Sequence, residues 1–91
     1  MIFDIQKFAE EDIPKQSSKS LRKGIRSLKK VISIHQAKIL DPKSFYQEWN
    51  ALTKKRQLGN IRHWQKEIDT AQQSIIDRME ELQKRGEDID E

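Results

Sequence analysis

Hydrophobic positions recur in alternating steps of four and three between residues 21 and 39, a spacing that places side chains on one face of an α-helix. The positions are Leu21, Ile25, Leu28, Ile32, His35 and Ile39, and the stripe is widened by Val31, Ile34 and Leu40. Ser17 or Ser18 stands in front of this stripe, where either can cap the free N–H groups of a first turn. The pattern therefore predicts a long helix that starts there and stops before Asp41-Pro42.

A second stripe with nearly the same spacing predicts another long helix over residues 56–85. Its members are Ile61, Trp64, Ile68, Ala71, Ile75, Met79 and Leu82, and Gly86 follows as a C-terminal stop. Pro42 suits the first turn of a short connector helix with Asp41 as its cap. The inner face of that connector would consist of Phe45, Tyr46, Trp49 and Leu52.

Two amphipathic helices on either side of a short connector are expected to pair antiparallel. The charges favour the same arrangement, since residues 15–30 hold seven basic and no acidic residues, whereas residues 77–91 hold seven acidic and three basic ones. We predict an all-α fold, a coiled-coil-like antiparallel helical hairpin with a short connector helix and an N-terminal arm. The arm covers residues 1–14, the hairpin 15–86 and an acidic tail 87–91. Gly24 inside the first helix costs about 1 kcal/mol relative to Ala, which indicates close approach of another backbone.

The composition argues against several classes of site and function. The chain is 34% hydrophobic and 36% charged, and it contains no cysteine, so disulfides and thiolate metal sites are excluded. No apolar run reaches the roughly 20 residues that span a bilayer, so we expect no membrane insertion and a cytoplasmic location. His35 and His63 show no ligand spacing, and no phosphate loop or nucleophile motif is present. We therefore expect no metal, no cofactor, no catalytic residue and no enzyme activity.

Two apolar groups are candidates for binding a partner protein. The first is the arm, whose large side chains are Ile2, Phe3, Ile5 and Phe8, and which either folds back on the hairpin or inserts into another subunit. The second is the connector region, where Trp49 and Trp64 are interleaved with basic residues. Such a mixture suits a protein hot spot or stacking on bases, and the alternative is an aromatic plug that closes the hairpin.

One basic cluster is a candidate for binding nucleic acid. It comprises Lys19, Arg22, Lys23, Arg26, Lys29 and Lys30. These side chains could neutralise phosphates along a nucleic-acid backbone. The alternative is a solvated face that is partly balanced by the acidic end of the second helix.

The first nine residues, Met-Ile-Phe-Asp-Ile-Gln-Lys-Phe-Ala, resemble the start of small structural and assembly proteins from phages and prophages of Gram-positive bacteria. Residues 13–17, 22–27, 63–68 and 85–86 are similar to a helical segment of phage head-module proteins. The resemblance implies a phage-encoded accessory protein in the host cytoplasm or associated with the virion, and it transfers no catalytic residue.

These features lead to one hypothesis and two alternatives. The hypothesis is a phage or prophage accessory protein, non-catalytic, that binds a phage or host protein in head assembly or DNA packaging. One alternative is a small phage protein that binds nucleic acid or inhibits a host factor. The other is a homo-oligomer built from hairpins, because the same stripe serves intramolecular and intermolecular packing.

Overall fold

A computed structural model describes residues 13–88, and this part of the chain is helical with no β-strand. Three α-helices follow one another, with a 3₁₀ turn before the first and another after the second. In chain order the elements are the turn Ile13–Lys15, α1 (Ser18–Leu40), α2 (Pro42–Phe45), the turn Trp49–Ala51 and α3 (Lys54–Lys84). The long helices α1 and α3 pack along each other. The predicted all-α hairpin with a short connector helix is confirmed, and the arm residues 1–12 lie outside the described range.

Side-chain caps fix where the two long helices begin. Ser17 has an extended backbone, and its Oγ accepts a hydrogen bond from the Ser20 N–H at 3.1 Å. Thr53 does the same for α3, accepting from the Arg56 N–H at 3.3 Å. The predicted start of α1 is confirmed. The start of α3 lies two residues earlier than predicted, because the Thr53 hydroxyl satisfies an N–H group of the first turn and so favours a helix start there.

Gly86 ends α3 as the sequence predicts. Its φ is +76°, a left-handed conformation that residues with a Cβ rarely adopt. The Gly86 N–H donates to the Gln83 carbonyl at 2.9 Å, and the Glu87 N–H donates to the Leu82 carbonyl at 3.0 Å. These two bonds form a Schellman motif, which satisfies carbonyl groups that the helix itself leaves free.

The order of contacts shows that α1 and α3 run antiparallel. Ser18 bonds Arg85 at one end of the hairpin, and Lys38 lies over the ring of Trp64 towards the other. Gly24 contacts Arg78 in between. We call the end where α1 begins and α3 ends the open end, and the opposite end the connector end.

Arg85 joins three segments at the open end. Its Nε bonds the Glu81 carboxylate at 2.8 Å, and its Nη1 donates to the Ser18 hydroxyl at 3.1 Å. Its Nη2 donates to the backbone carbonyls of Pro14 and Ile13. The turn that precedes α1 is therefore fixed against the last turn of α3, and the Ile13 side chain is buried there.

The hydrophobic core lies between the facing stripes of α1 and α3. Its cluster consists of Ile13, Leu21, Ile25, Ile75 and Leu82, with Leu28, Ile32 and Met79 partly buried against it. Ile68 and Ala71 continue the buried stripe of α3 towards the connector end. The two predicted stripes thus supply the core. Widening the α1 stripe to Ile34 and Leu40 is wrong, because both are exposed.

The group that lies close to Gly24 is a side chain of α3, and not a backbone segment as the sequence suggested. A Cβ at this position would lie 2.9 Å from Nε and 3.4 Å from Cδ of Arg78. Arg78 is 6% exposed and donates from Nη1 to the Ser74 carbonyl at 3.0 Å and to the Ser74 hydroxyl. The absence of a Cβ on α1 therefore makes room for a buried guanidinium from α3.

Substituting the two helical glycines should give effects of opposite sign. Gly59→Ala should stabilise the fold by up to about 1 kcal/mol, because nothing lies within 4 Å of its Cβ position and Ala is the better helix former. Gly24→Ala should lose that gain and destabilise, because Arg78 must move. Urea denaturation of both variants measures the difference, and Arg78→Met should restore the benefit of alanine at position 24. Equal stabilisation by both alanines would contradict the contact.

The inner face predicted for the connector is only partly correct. Trp49 is buried and Leu52 is half-buried, but Phe45 and Tyr46 are exposed. The physical reason is that the connector is not one continuous helix. It ends after a single turn at Phe45, and Tyr46 adopts an extended conformation with φ −140° and ψ 97°. Tyr46 and Trp49 therefore do not lie on one face of a helix, as their spacing predicted.

Candidate functional site

Two stacked tryptophans close the connector end. The rings of Trp49 and Trp64 lie 5.7 Å apart between centroids with an angle of 25° between their planes. Both are largely buried, at 8% and 9% exposure. The Trp49 carbonyl accepts a hydrogen bond from Gln57 Nε2 at 2.8 Å, and Lys38 Nζ lies 6.0 Å from the centroid of Trp64. This arrangement corresponds to the aromatic plug that the sequence left as an alternative, since little of either ring reaches solvent.

Most of the exposed large apolar side chains of the described range belong to the connector and to the helix ends that flank it. Six large hydrophobic residues of the described range are exposed, and four of them fall between positions 40 and 58. We call these four the connector surface: Leu40, Phe45, Tyr46 and Leu58. Leu40 is 85% exposed, and the other three are between 43% and 50% exposed. Exposed large apolar side chains that gather at one end of a protein are candidates for an interaction site.

Basic residues accompany the connector surface. Lys43, Lys54, Lys55 and Arg56 are all exposed, and Asp41 and Glu48 are exposed acidic residues of the same segment. The balance of formal charge in this region is therefore positive. Charged rims steer and select partners of opposite sign more than they add affinity. A partner with an acidic rim around an apolar centre would fit.

The predicted partner-binding residues divide into two groups. Trp49 and Trp64 are brought together by the fold, but as a buried stack, so they support the connector surface more than they contribute area to it. Ile2, Phe3, Ile5 and Phe8 lie outside the described residues 13–88, and their docking role stays a prediction.

Sequence reasoning missed two members of the connector surface. Leu40 was assigned to the α1 stripe and Leu58 was not singled out. At 3.6 residues per turn, each lies about 100° around its helix from the centre of the buried stripe. That angular offset was the available signal, because a large apolar residue off the stripe of a helix must either meet another element or stay exposed.

The basic cluster lies on α1 near the open end. Lys19, Lys23, Arg26, Lys29 and Lys30 are exposed, whereas Arg22 is half-buried. Arg22 Nη2 lies 3.8 Å from Glu87 Oε1 and donates to the Asp88 carbonyl. The acidic partners of Arg22 therefore follow the end of α3, whereas the sequence predicted partners within that helix.

Neither histidine belongs to a ligand set. His35 Nδ1 lies 2.8 Å from the Val31 carbonyl, and His63 Nε2 lies 3.8 Å from Glu67 Oε1. Residues 13–88 contain no group of three or more His, Asp or Glu side chains placed to hold a metal ion. A shallow groove opens to solvent over Asp77, Glu80, Glu81, Gln83 and Lys84, all of which lie on the last turns of α3. No helix in the described range carries an apolar stretch long enough to cross a membrane.

Comparisons with known proteins identify no family for this chain. The resemblance to phage assembly proteins therefore depends only on the short segments described above, and the candidate site depends only on the fold. Family models, curated proteins and solved structures were all searched, and none of them matches this chain.

Proposed function

We propose that this protein is a non-catalytic helical hairpin that binds another protein through its connector surface. The observation that carries the proposal is the concentration of four of the six exposed large apolar side chains at one end of the hairpin. Aromatic and large aliphatic residues are the usual anchors of protein interfaces. Their burial by a partner would contribute about 25 cal/mol for each Å² of apolar surface removed from water.

The stacked tryptophans make this surface suited to binding. Trp49 is fixed by its stacking on Trp64 and by the hydrogen bond from Gln57 to its carbonyl. The connector is therefore held against α3 before any partner arrives. A preorganised surface loses less conformational entropy on binding than a flexible loop, and more of the contact energy remains as affinity.

The resemblance of the first nine residues supports a phage setting for this interaction. In that setting the hairpin is an accessory protein of head assembly or DNA packaging, present in the host cytoplasm or with the virion. The partner is a phage or host protein that presents an apolar patch with an acidic rim. The arm residues Ile2, Phe3, Ile5 and Phe8 are proposed as a second docking element.

Two matched double variants test the connector surface. Phe45→Gln with Leu58→Gln removes two of its anchors, and Ile34→Gln with Ile76→Gln removes two apolar residues of similar exposure elsewhere. The four side chains are 46% to 50% exposed, so all should be replaced with little change in stability. In affinity capture from phage-infected host cells, the first pair should lose the partner at least about tenfold and the second should retain it. Equal recovery with both pairs would contradict the proposal.

Deleting residues 1–12 tests the arm separately. If the arm docks to the partner, the truncated chain should keep its helicity and melting temperature while partner recovery falls. Unchanged recovery would remove the arm from the proposal and leave the connector surface untouched. Light scattering on both chains shows whether either surface instead joins copies of this protein, since the mass of the assembly would then change.

A further inference from the structure

Helix α1 carries a one-sided positive charge. From Ser18 to Leu40 it holds seven basic residues and no acidic residue. By contrast α3 mixes both signs along its length, with seven basic and five acidic residues from Lys54 to Lys84. The charge of α1 is therefore not neutralised by side chains of its own helix.

Three lysines of α1 form a line on the side of the helix that faces away from the core. Lys19, Lys23 and Lys30 are exposed, whereas Leu21 and Ile25 are buried against α3. At 100° per residue the three lysines fall within about 40° of each other and nearly opposite the two core residues. They extend over about 16 Å along the helix axis. We call them the lysine stripe.

The lysine stripe is exposed, whereas the neighbouring Arg22 contacts acidic residues that follow α3. Arg22 lies off the stripe towards α3, where it meets Glu87 and the Asp88 carbonyl. Glu81 at the end of α3 is bonded by Arg85. The carboxylates of Glu81 and Glu87 at the open end therefore contact Arg85, Arg22 and the Ser18 hydroxyl. Arg26 and Lys29 make contacts of their own, so the stripe is defined by the three lysines alone.

We propose that the lysine stripe binds the phosphate backbone of duplex DNA, in addition to the protein partner of the connector surface. Ammonium groups at intervals along a rigid helix suit a duplex, which carries one charge per about 1.7 Å of its axis. Between Lys19 and Lys30 no aromatic residue occurs that could stack on an unpaired base, which disfavours single strands. The stripe has no exposed aromatic anchor either, which disfavours a protein hot spot. Binding is independent of base sequence, because phosphate contacts carry no sequence information.

Two charge-matched triple variants of the full chain test the stripe. Lys19→Gln, Lys23→Gln and Lys30→Gln remove it. Lys15→Gln, Lys66→Gln and Lys84→Gln change the net charge by the same amount at exposed positions on two other elements. Fluorescence anisotropy with a labelled duplex of random sequence is measured between 50 and 200 mM salt. Circular dichroism confirms that each variant keeps its helicity.

The stripe variant should bind more weakly, and its plot of log affinity against log salt should be less steep by about 3, one for each lost phosphate contact. The control variant should keep a slope close to that of the unmodified chain. Replacing the same three lysines by arginine should preserve binding. No binding by the unmodified chain at 50 mM salt, equal loss in both triple variants, or tighter binding to polyglutamate than to DNA would overturn the proposal.

Failure of the DNA-binding proposal can be distinguished from failure of the proposal for the connector surface. Phe45→Gln with Leu58→Gln should leave the DNA affinity and its salt slope unchanged, because neither substitution alters charge or touches α1. The stripe variant should still recover the protein partner. Loss of DNA binding in the connector variant would contradict the assignment of DNA to the stripe.

Discussion

Leu82→Ala should lower the free energy of unfolding by about 2–5 kcal/mol. Leu82 is fully buried and belongs to the core cluster that also contains Leu21 and Ile13. Truncation removes apolar contacts and leaves a cavity that the surrounding helices fill only in part. For a chain of this size, whose total stability is about 5–14 kcal/mol, the loss is a large fraction of the whole. Urea denaturation followed by circular dichroism at 222 nm measures it.

Leu40→Ala is the matched control for the same substitution. Leu40 is 85% exposed at the end of α1, so its truncation should change the stability by no more than about 0.5 kcal/mol. A similar loss in both variants would mean that Leu40 is buried in solution, for example against a second copy. A negligible effect of Leu82→Ala would mean that the open end is not packed as described.

Trp64→Ala should destabilise the protein by about 3–5 kcal/mol, the usual cost of removing a buried tryptophan. Its ring stacks on Trp49 and fills the space between α3 and the connector. The connector would lose its stacking contact with α3, so hydrogen exchange of backbone amides in residues 42–53 should accelerate more than in the core segment of α1. Denaturation and hydrogen exchange on the same variant measure both effects.

Trp49 provides the check on this interpretation. If the two rings stabilise each other, a double-mutant cycle with Trp49→Ala and Trp64→Ala should show a coupling of about 0.5–1.5 kcal/mol. Trp64→Phe should retain part of the stacking and cost less than alanine. Strictly additive losses would show that each tryptophan packs independently, and the plug would then not be the support of the connector surface.

The long helices could be predicted because their signals are local and consistent. The stripes Leu21–Ile25 and Ile75–Leu82 have helical spacing, Ser17 can cap the start of α1, and Gly86 can end α3. Each of these features depends on residues a few positions apart, and each indicates the same element boundaries. The antiparallel pairing also followed, because a short connector and segregated charges both favour it.

The connector and its surface could not be predicted to the same depth. The spacing of Phe45, Tyr46, Trp49 and Leu52 fits a helix, yet the backbone leaves the helix at Tyr46. What selects this path is a contact across the fold, the stacking of Trp49 on Trp64. Such tertiary contacts override local propensity, and nothing in the spacing of the segment reports them.

The burial of Arg78 could not be predicted from the sequence either. Arg78 falls beside Met79 on α3, and a charged residue is expected to face solvent. Its burial depends on the absence of a Cβ at Gly24 on the other helix and on Ser74 one turn earlier. Gly24 signalled a close approach, but which atom makes that approach is decided by the register of α1 against α3.

The distance between two spin labels would show whether α1 and α3 of the same chain pack antiparallel. The chain has no cysteine, so Lys19→Cys and Lys84→Cys introduce two unique labelling sites at exposed positions of the open end. Packed helices lie 8–10 Å apart between axes, so the labels should be less than about 35 Å apart. The short distance should persist when labelled chains are diluted with unlabelled ones. A separation near 100 Å, as an unbroken helical rod would give at about 1.5 Å per residue, or a short distance lost on dilution, would contradict the intramolecular hairpin.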